Sequence, residues 1–196
     1  MPAHRKLAPE NQMTIEEFLA FTESRPQEER WELIEGMPVM NPSPVKKHQL
    51  IASNIASFLL IEKERLGAAW LPMLGVGTEV PISPRSLPQP DVYVQEGDLA
   101  DDSHVTTDAL VIFEVLSRSN TKADQAWRRR VYSSVPNCRH YVTVSLKTAE
   151  VTVYDRDSQW ACRTVAGLDA TADLPAIGVV LPLARIYRWT PLAPGA

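Results

Sequence analysis

Cysteine is nearly absent from this chain. Cys138 and Cys162 are the only two among 196 residues. No CxxC pairing or set of several bridges is present, so a disulfide scaffold and a cysteine-rich zinc module are excluded. Two reduced thiols fit a cytoplasmic location, which is the expectation. Long apolar runs are missing too. None approaches the roughly 20 residues that a membrane-spanning helix needs, and the polar start from Met1 to Gln12 does not read as a secretory signal. Positive charge is in deficit, with 20 Lys and Arg against 24 Asp and Glu and a formal net charge of −4. A general polyanion-binding signature is thereby excluded, and a nucleic-acid ligand has to be held by a local basic patch against the average field. No segment repeats, and none is of low complexity.

What is present is ordinary globular material. An apolar fraction of 44% and a charged fraction of 22% suffice for a sizeable core. The expectation is a mobile lead-in over residues 1–12, then a single domain over 13–196 with a proline-rich extension from about 168 that wraps the domain edge.

Thr14-Ile15-Glu16-Glu17 has the form of a capping box, and Ile15, Phe18, Leu19 and Phe21 continue it as a short amphipathic helix ending near Arg25-Pro26. Glu35-Gly36 reads as a hairpin turn between two β-rich runs, with Glu32 on the face opposite Leu33. Ser43-Pro44 reads as the entry to a helix that reaches about Leu66, with His48 in its first turns. Residues 71–82 read as extended chain, and 95–108 as an acidic, solvated loop. A polar turn over 117–121 caps a helix from about Lys122 to Ser134, on which Asp124, Arg128 and Tyr132 share one face. Three β-rich runs follow, at 141–144, 151–154 and 160–165.

Two acids stand out because of their surroundings. Asp91 opens the apolar run Val92-Tyr93-Val94, and Glu114 closes Ala109-Leu110-Val111-Ile112-Phe113. A carboxylate inside a buried strand costs free energy unless it is paired, hydrogen-bonded or bound to a metal. The simplest common explanation is that adjacent strands bring both to one end of a sheet, where they hold a hard divalent cation. Simpler roles stay open at this point. Asp91 can be a strand-start or turn acid, Glu32 the solvent face of a hairpin, and His48 a structural or surface histidine. Arg128 can pair with Asp124 along the helix, and Arg128-Arg129-Arg130 is either a phosphate-contacting patch or a solvated helix face.

The order Trp31-Glu32-Leu33-Ile34-Glu35-Gly36, Pro42-Ser43-Pro44 with His48-Gln49, Gln89-Pro90-Asp91, Glu114-Val115-Leu116-Ser117 and Asp124 to Tyr132 resembles the Uma-two family. Members of that family are restriction-endonuclease-like proteins of the PD-(D/E)XK superfamily. The resemblance implies an α/β (α+β) fold with a mixed β-sheet flanked by helices. It implies Asp91, Glu114 and the Val115 carbonyl as ligands of Mg2+ or Mn2+, with Glu32 and His48 near the same site. The lysine usual two residues after the second acid is replaced by Leu116, and the helical position to which family members move it is Arg128. The implied activity is divalent-metal-dependent hydrolysis of DNA, with a homodimer permitted. The alternative is a catalytically impaired nuclease fold that binds nucleic acid or a protein partner.

Overall fold

The computed structural model describes residues 12–97, 103–117 and 120–193. Residues 1–11 of the expected lead-in and 98–102 of the acidic loop lie outside the described residues. Helix α1 (Ile15–Glu23) starts on the capping box expected of it: the Thr14 hydroxyl accepts from the Glu17 amide at 3.1 Å, and the Glu17 carboxylate accepts from the Thr14 amide at 2.8 Å. Strands β1 (Arg30–Ile34) and β2 (Met37–Asn41) form an antiparallel hairpin. Its turn puts Glu35 and Gly36 at φ +49° and +79°, the left-handed pair that matches the twist of a two-residue hairpin. Helix α2 (Lys46–Leu66) ends on Gly67, also left-handed. Its start departs from the expectation. Val45, not Ser43, is the N-cap and supplies no side-chain bond, because the residue before Pro44 is kept extended and Ser43 sits too far back to reach the free amides.

The rest of the chain runs β3 (Trp70–Met73), β4 (Gly77–Thr78), β5 (Val92–Glu96), β6 (Val105–Thr106), β7 (Val111–Leu116), α3 (Lys122–Tyr132), β8 (His140–Ser145), β9 (Glu150–Asp155), β10 (Ala161–Ala166), β11 (Thr171–Leu174), β12 (Val179–Pro182) and α4 (Leu183–Ile186). The main sheet has the order β10-β9-β8-β7-β5-β3. Only the β7–β8 pair is parallel, joined through α3, and the other neighbours are antiparallel. The fold is α+β, a mixed sheet flanked by helices. No helix among the described residues is long and apolar enough to cross a membrane.

Alternation along the central strands divides their side chains between two cores. Val92, Val94, Val111, Phe113 and Val115 face Ile51, Ile55 and Leu59 of α2. Tyr93, Ile112 and Tyr141 face Val131 and Tyr132 of α3. The segment from Leu168, expected to wrap the edge, packs inward. Leu174, Leu181, Leu183, Ile186 and Tyr187 are fully buried in the α2-side core, and the Tyr187 hydroxyl accepts from the Glu150 amide at 3.1 Å. Ile186→Ala should therefore cost about 2–5 kcal/mol in a denaturant titration at unchanged m-value. A loss within about 0.5 kcal/mol, as at a surface position, would mean that the segment lies outside the cooperative unit.

Candidate active site

The β1–β2 hairpin clamps the loop that leads to Asp91. The Leu87 amide donates to the Leu33 carbonyl at 2.8 Å, the Gly36 amide to the Arg85 carbonyl at 2.6 Å, and the Glu35 amide to the Ser86 hydroxyl at 2.8 Å. With this loop seated on the hairpin, the Glu32 side chain is covered. It is 2% exposed, which corrects the solvent-face reading of that residue. Its Oε1 accepts from the Gln89 amide at 2.7 Å, and its Oε2 from Asn41 Nδ2 at 2.9 Å and Arg128 Nη2 at 2.6 Å. Glu32 thus ties the loop, the hairpin and helix α3 together.

Val92 pairs with Phe113, and one step further in that antiparallel register sets Asp91 beside Glu114 at the same end of the sheet. Asp91 Oδ2 accepts from the Val115 amide at 2.8 Å and lies 3.2 Å from His48 Nε2. His48 reaches it from the first turn of α2, so the surface alternative for this histidine falls away. Glu114 is 7% exposed, and its Oε1 accepts from Arg128 Nη1 and from the Tyr132 hydroxyl, both at 2.9 Å. Arg128 turns inward to these two glutamates. The alternative pairing with Asp124 is not made, since the Asp124 carboxylate bonds the Thr121 amide and hydroxyl that cap α3. Glu32, His48, Asp91, Glu114 and Arg128 are therefore brought together. Tyr132 and Asn41 join them without having been assigned from the sequence. The four-residue spacing of Tyr132 from Arg128 was the signal for the first, and nothing in the sequence marked the second.

Each acid meets a basic neighbour, and the electrostatics follow. Burial pushes Glu32 up, but the charge and hydrogen bond of Arg128, helped by Asn41 and Gln89, outweigh it and hold the carboxyl below its usual range. Glu114 loses the competition for the same guanidinium. Burial raises it, Arg128 and Tyr132 pull it down, and the charges of Asp91 and Glu32 add to the rise, leaving it at about 8. Burial lowers His48, yet Asp91, Glu114 and the Val115 backbone together raise it above its ordinary value. Burial works against the Arg128 charge as well, but Glu114 and Glu32 hold its pKa well above its ordinary value, so it stays a cation at every relevant pH.

Three carboxylates thus face two cationic side chains, and the cluster is neutral when Glu114 holds a proton. With His48 neutral and Glu114 ionised it carries two excess negative charges, the charge of one divalent ion. Asp91 Oδ1 and Glu114 Oε2 make no hydrogen bond among the described residues, so each acid keeps one oxygen for a ligand. No set of three His, Cys, Asp or Glu side chains among the described residues could hold a metal. Two carboxylates, a carbonyl, waters and substrate oxygens are nevertheless the coordination that magnesium favours. The residues present fit such an ion. A cleft of about 970 Å³ opens at His48, Gln89 and Asp91 and extends past Trp31, Arg25 and Arg30.

Because the native state holds the Glu114 proton more tightly than the unfolded chain does, this group stabilises the fold below about pH 4.5, and the contribution is lost as pH rises through about 8. Glu114→Gln should therefore gain on the wild type by up to roughly a few kcal/mol from pH 5 to pH 9. Urea midpoints of the two proteins across that range check it. Parallel profiles would show that the Glu114 proton is not the source.

The fold matches that of a crystal structure described as a "putative nuclease belonging to DUF820" from Anabaena variabilis ATCC 29413, with a TM-score of 0.72 and 18% identity over 90% of this chain and 98% of that one. At that identity the likeness shows the fold alone. No curated protein matches. A family match covers residues 15–184. The chain belongs to the Uma2 family, described as "Putative restriction endonuclease".

Proposed function

We propose that the protein is a divalent-metal-dependent endonuclease that hydrolyses phosphodiester bonds of DNA, with its centre at Asp91, Glu114 and the Val115 carbonyl. The observation that carries this reading is the convergence of Asp91 and Glu114 at one end of the sheet, with one unengaged oxygen on each acid. A magnesium or manganese ion bound there would supply an activated water and neutralise phosphoryl oxygens.

The remaining roles belong to the chain's own groups. Asp91 is aimed by the Val115 amide and by the loop that Glu32 anchors through the Gln89 amide. Tyr132 and Arg128 both donate to Glu114 Oε1 and leave unengaged its Oε2, which would be the atom to hold an ion. Arg128 replaces the superfamily's lysine as a fixed positive charge. Its two ion pairs leave the side chain 14% exposed, so it acts as a positioning residue for Glu114 and contributes field, not a phosphate grip. It cannot accept a proton from water. That task falls to His48, the imidazole that Asp91 holds at the mouth of the cleft.

Calorimetric titration with Mg2+ or Mn2+ should show one site in the wild type and none in Asp91→Ala. Equal heats in both would remove the metal assignment. The ion has to displace protons from His48 and Glu114, so affinity should rise with pH up to about 8. At neutral pH about one to two protons should leave per ion bound, read by repeating the titration in buffers of different ionisation enthalpy.

A second reading, a nuclease fold that binds nucleic acid or a protein partner without turnover, is favoured by one feature: Arg128, which cannot deprotonate, stands in the lysine's place. Arg128→Lys separates the two. If the metal-loaded wild type cuts plasmid DNA, the binding-only reading is removed. If only the lysine variant cuts, with a gain of at least roughly a hundredfold expected of a general acid–base group, the centre is a lapsed one.

A further inference from the structure

The arginine cluster that the sequence raised as a phosphate patch is only partly used by the centre. Arg128 points inward, whereas Arg129, one residue on, comes out about 100° further round α3. There it shares a pocket of about 170 Å³ with Lys122, Gln125, Tyr141, Thr143 and Tyr154. A separate binding site is indicated by four observations.

The pocket has two cations and no acid in its lining. Among the described residues neither Lys122 nor Arg129 is in an ion pair, although the chain as a whole has a formal net charge of −4. The Tyr141 hydroxyl is buried without any hydrogen-bond partner in a residue that is 1% exposed. A donor buried in this way is costly to leave unsatisfied. Burial, with the charge of Glu114, pushes the Tyr141 pKa well above 10, so the group remains a neutral donor awaiting an acceptor.

The sheet register then connects the pocket to the centre. Glu114 pairs with Thr143, Thr143 with Thr152, and Thr152 with Thr164. A row of hydroxyls therefore continues outward from the acids on the α3 side of the sheet, and the Thr152 and Thr164 hydroxyls lie 2.9 Å apart. At about 4.8 Å per strand the far rim of the pocket lies about 10 Å from Glu114. Tyr154 closes the rim, with the Arg129 guanidinium 5.3 Å from its ring centre. The volume is below the roughly 300 Å³ of a small-molecule pocket. It admits a phosphate-sized group with its waters and no whole nucleotide.

We propose that this pocket is a second phosphate subsite, in which Lys122, Arg129 and the Tyr141 hydroxyl grip the backbone of the nucleic acid being presented to the Asp91–Glu114 centre. The inference rests on the nuclease reading above and adds to it where the substrate leaves the centre. Arg129 and Lys122 supply charge, Tyr141 a directed neutral bond, and the threonine row the path between the two.

The test is the salt dependence of binding of a short fluorescein-labelled DNA duplex, followed by anisotropy between about 50 and 200 mM salt. Removing two phosphate contacts in Lys122→Ala/Arg129→Ala should lower the magnitude of the log–log slope by about two. Tyr141→Phe should weaken binding several-fold at fixed salt with the wild-type slope, because it deletes a bond and no charge. Wild-type slope and affinity in all variants would overturn the subsite while leaving the endonuclease reading intact. Absence of DNA binding by the wild type would instead overturn that reading, and this inference with it.

Discussion

One guanidinium in the interior is asked to satisfy two carboxylates, and the arrangement of the candidate centre follows from that shortage. Arg128 holds Glu32 through one nitrogen and Glu114 through the other, at 2.6 and 2.9 Å. Breaking a buried pair of this kind by removing one partner typically costs 3–5 kcal/mol, so neither glutamate can be ignored by the fold. The two are not equal competitors. Glu32 gathers three donors and keeps its charge, whereas Glu114 shares Arg128 and lies next to Asp91, and is left with an unsettled proton. The group on the central strand is therefore the one able to change its charge.

Where these side chains are mounted explains why such a frustrated cluster can persist. Glu114 belongs to β7, whose first five residues are buried, and Arg128 and Tyr132 to the helix that links the parallel β7–β8 pair of the main sheet. Asp91 enters β5 directly after Pro90, and Glu32 sits in a hairpin bound to that same entry loop. Every charged group is thus fixed by backbone that has its own reasons to be in place. The strain falls on protonation states and not on geometry.

Much of this was legible in the sequence, for physical reasons that can be named. Asp91 and Glu114 were visible because a charge inside a strongly apolar run demands a partner, and β5 and β7 are such runs. The shared face of Arg128 and Tyr132 was visible from helical spacing. Glu32 was only half visible: alternation placed it opposite Leu33, but that its side is covered depends on residues 83–90 folding back over the hairpin, a tertiary fact with no local signature. The same holds for the clamp through Ser86 and the contribution of Asn41. Ser43 misled because a favourable capping residue was read without the constraint of the following proline. The segment after Leu168 misled because its many prolines hid a period-two pattern, Ala172 with Leu174 and Val179 with Leu181, that marks two inward-facing strands.

The hairpin has a last consequence. Glu32 and Arg128 are separated by 96 positions along the chain, and His48 and Asp91 come from two further segments. No contiguous fragment short of most of the domain contains the full constellation. A chain still emerging from the ribosome, or one that has lost its amino-terminal portion to a protease, therefore has its acids exposed to water and unassembled. The constellation on which the proposed metal centre rests is thus assembled only by completed folding.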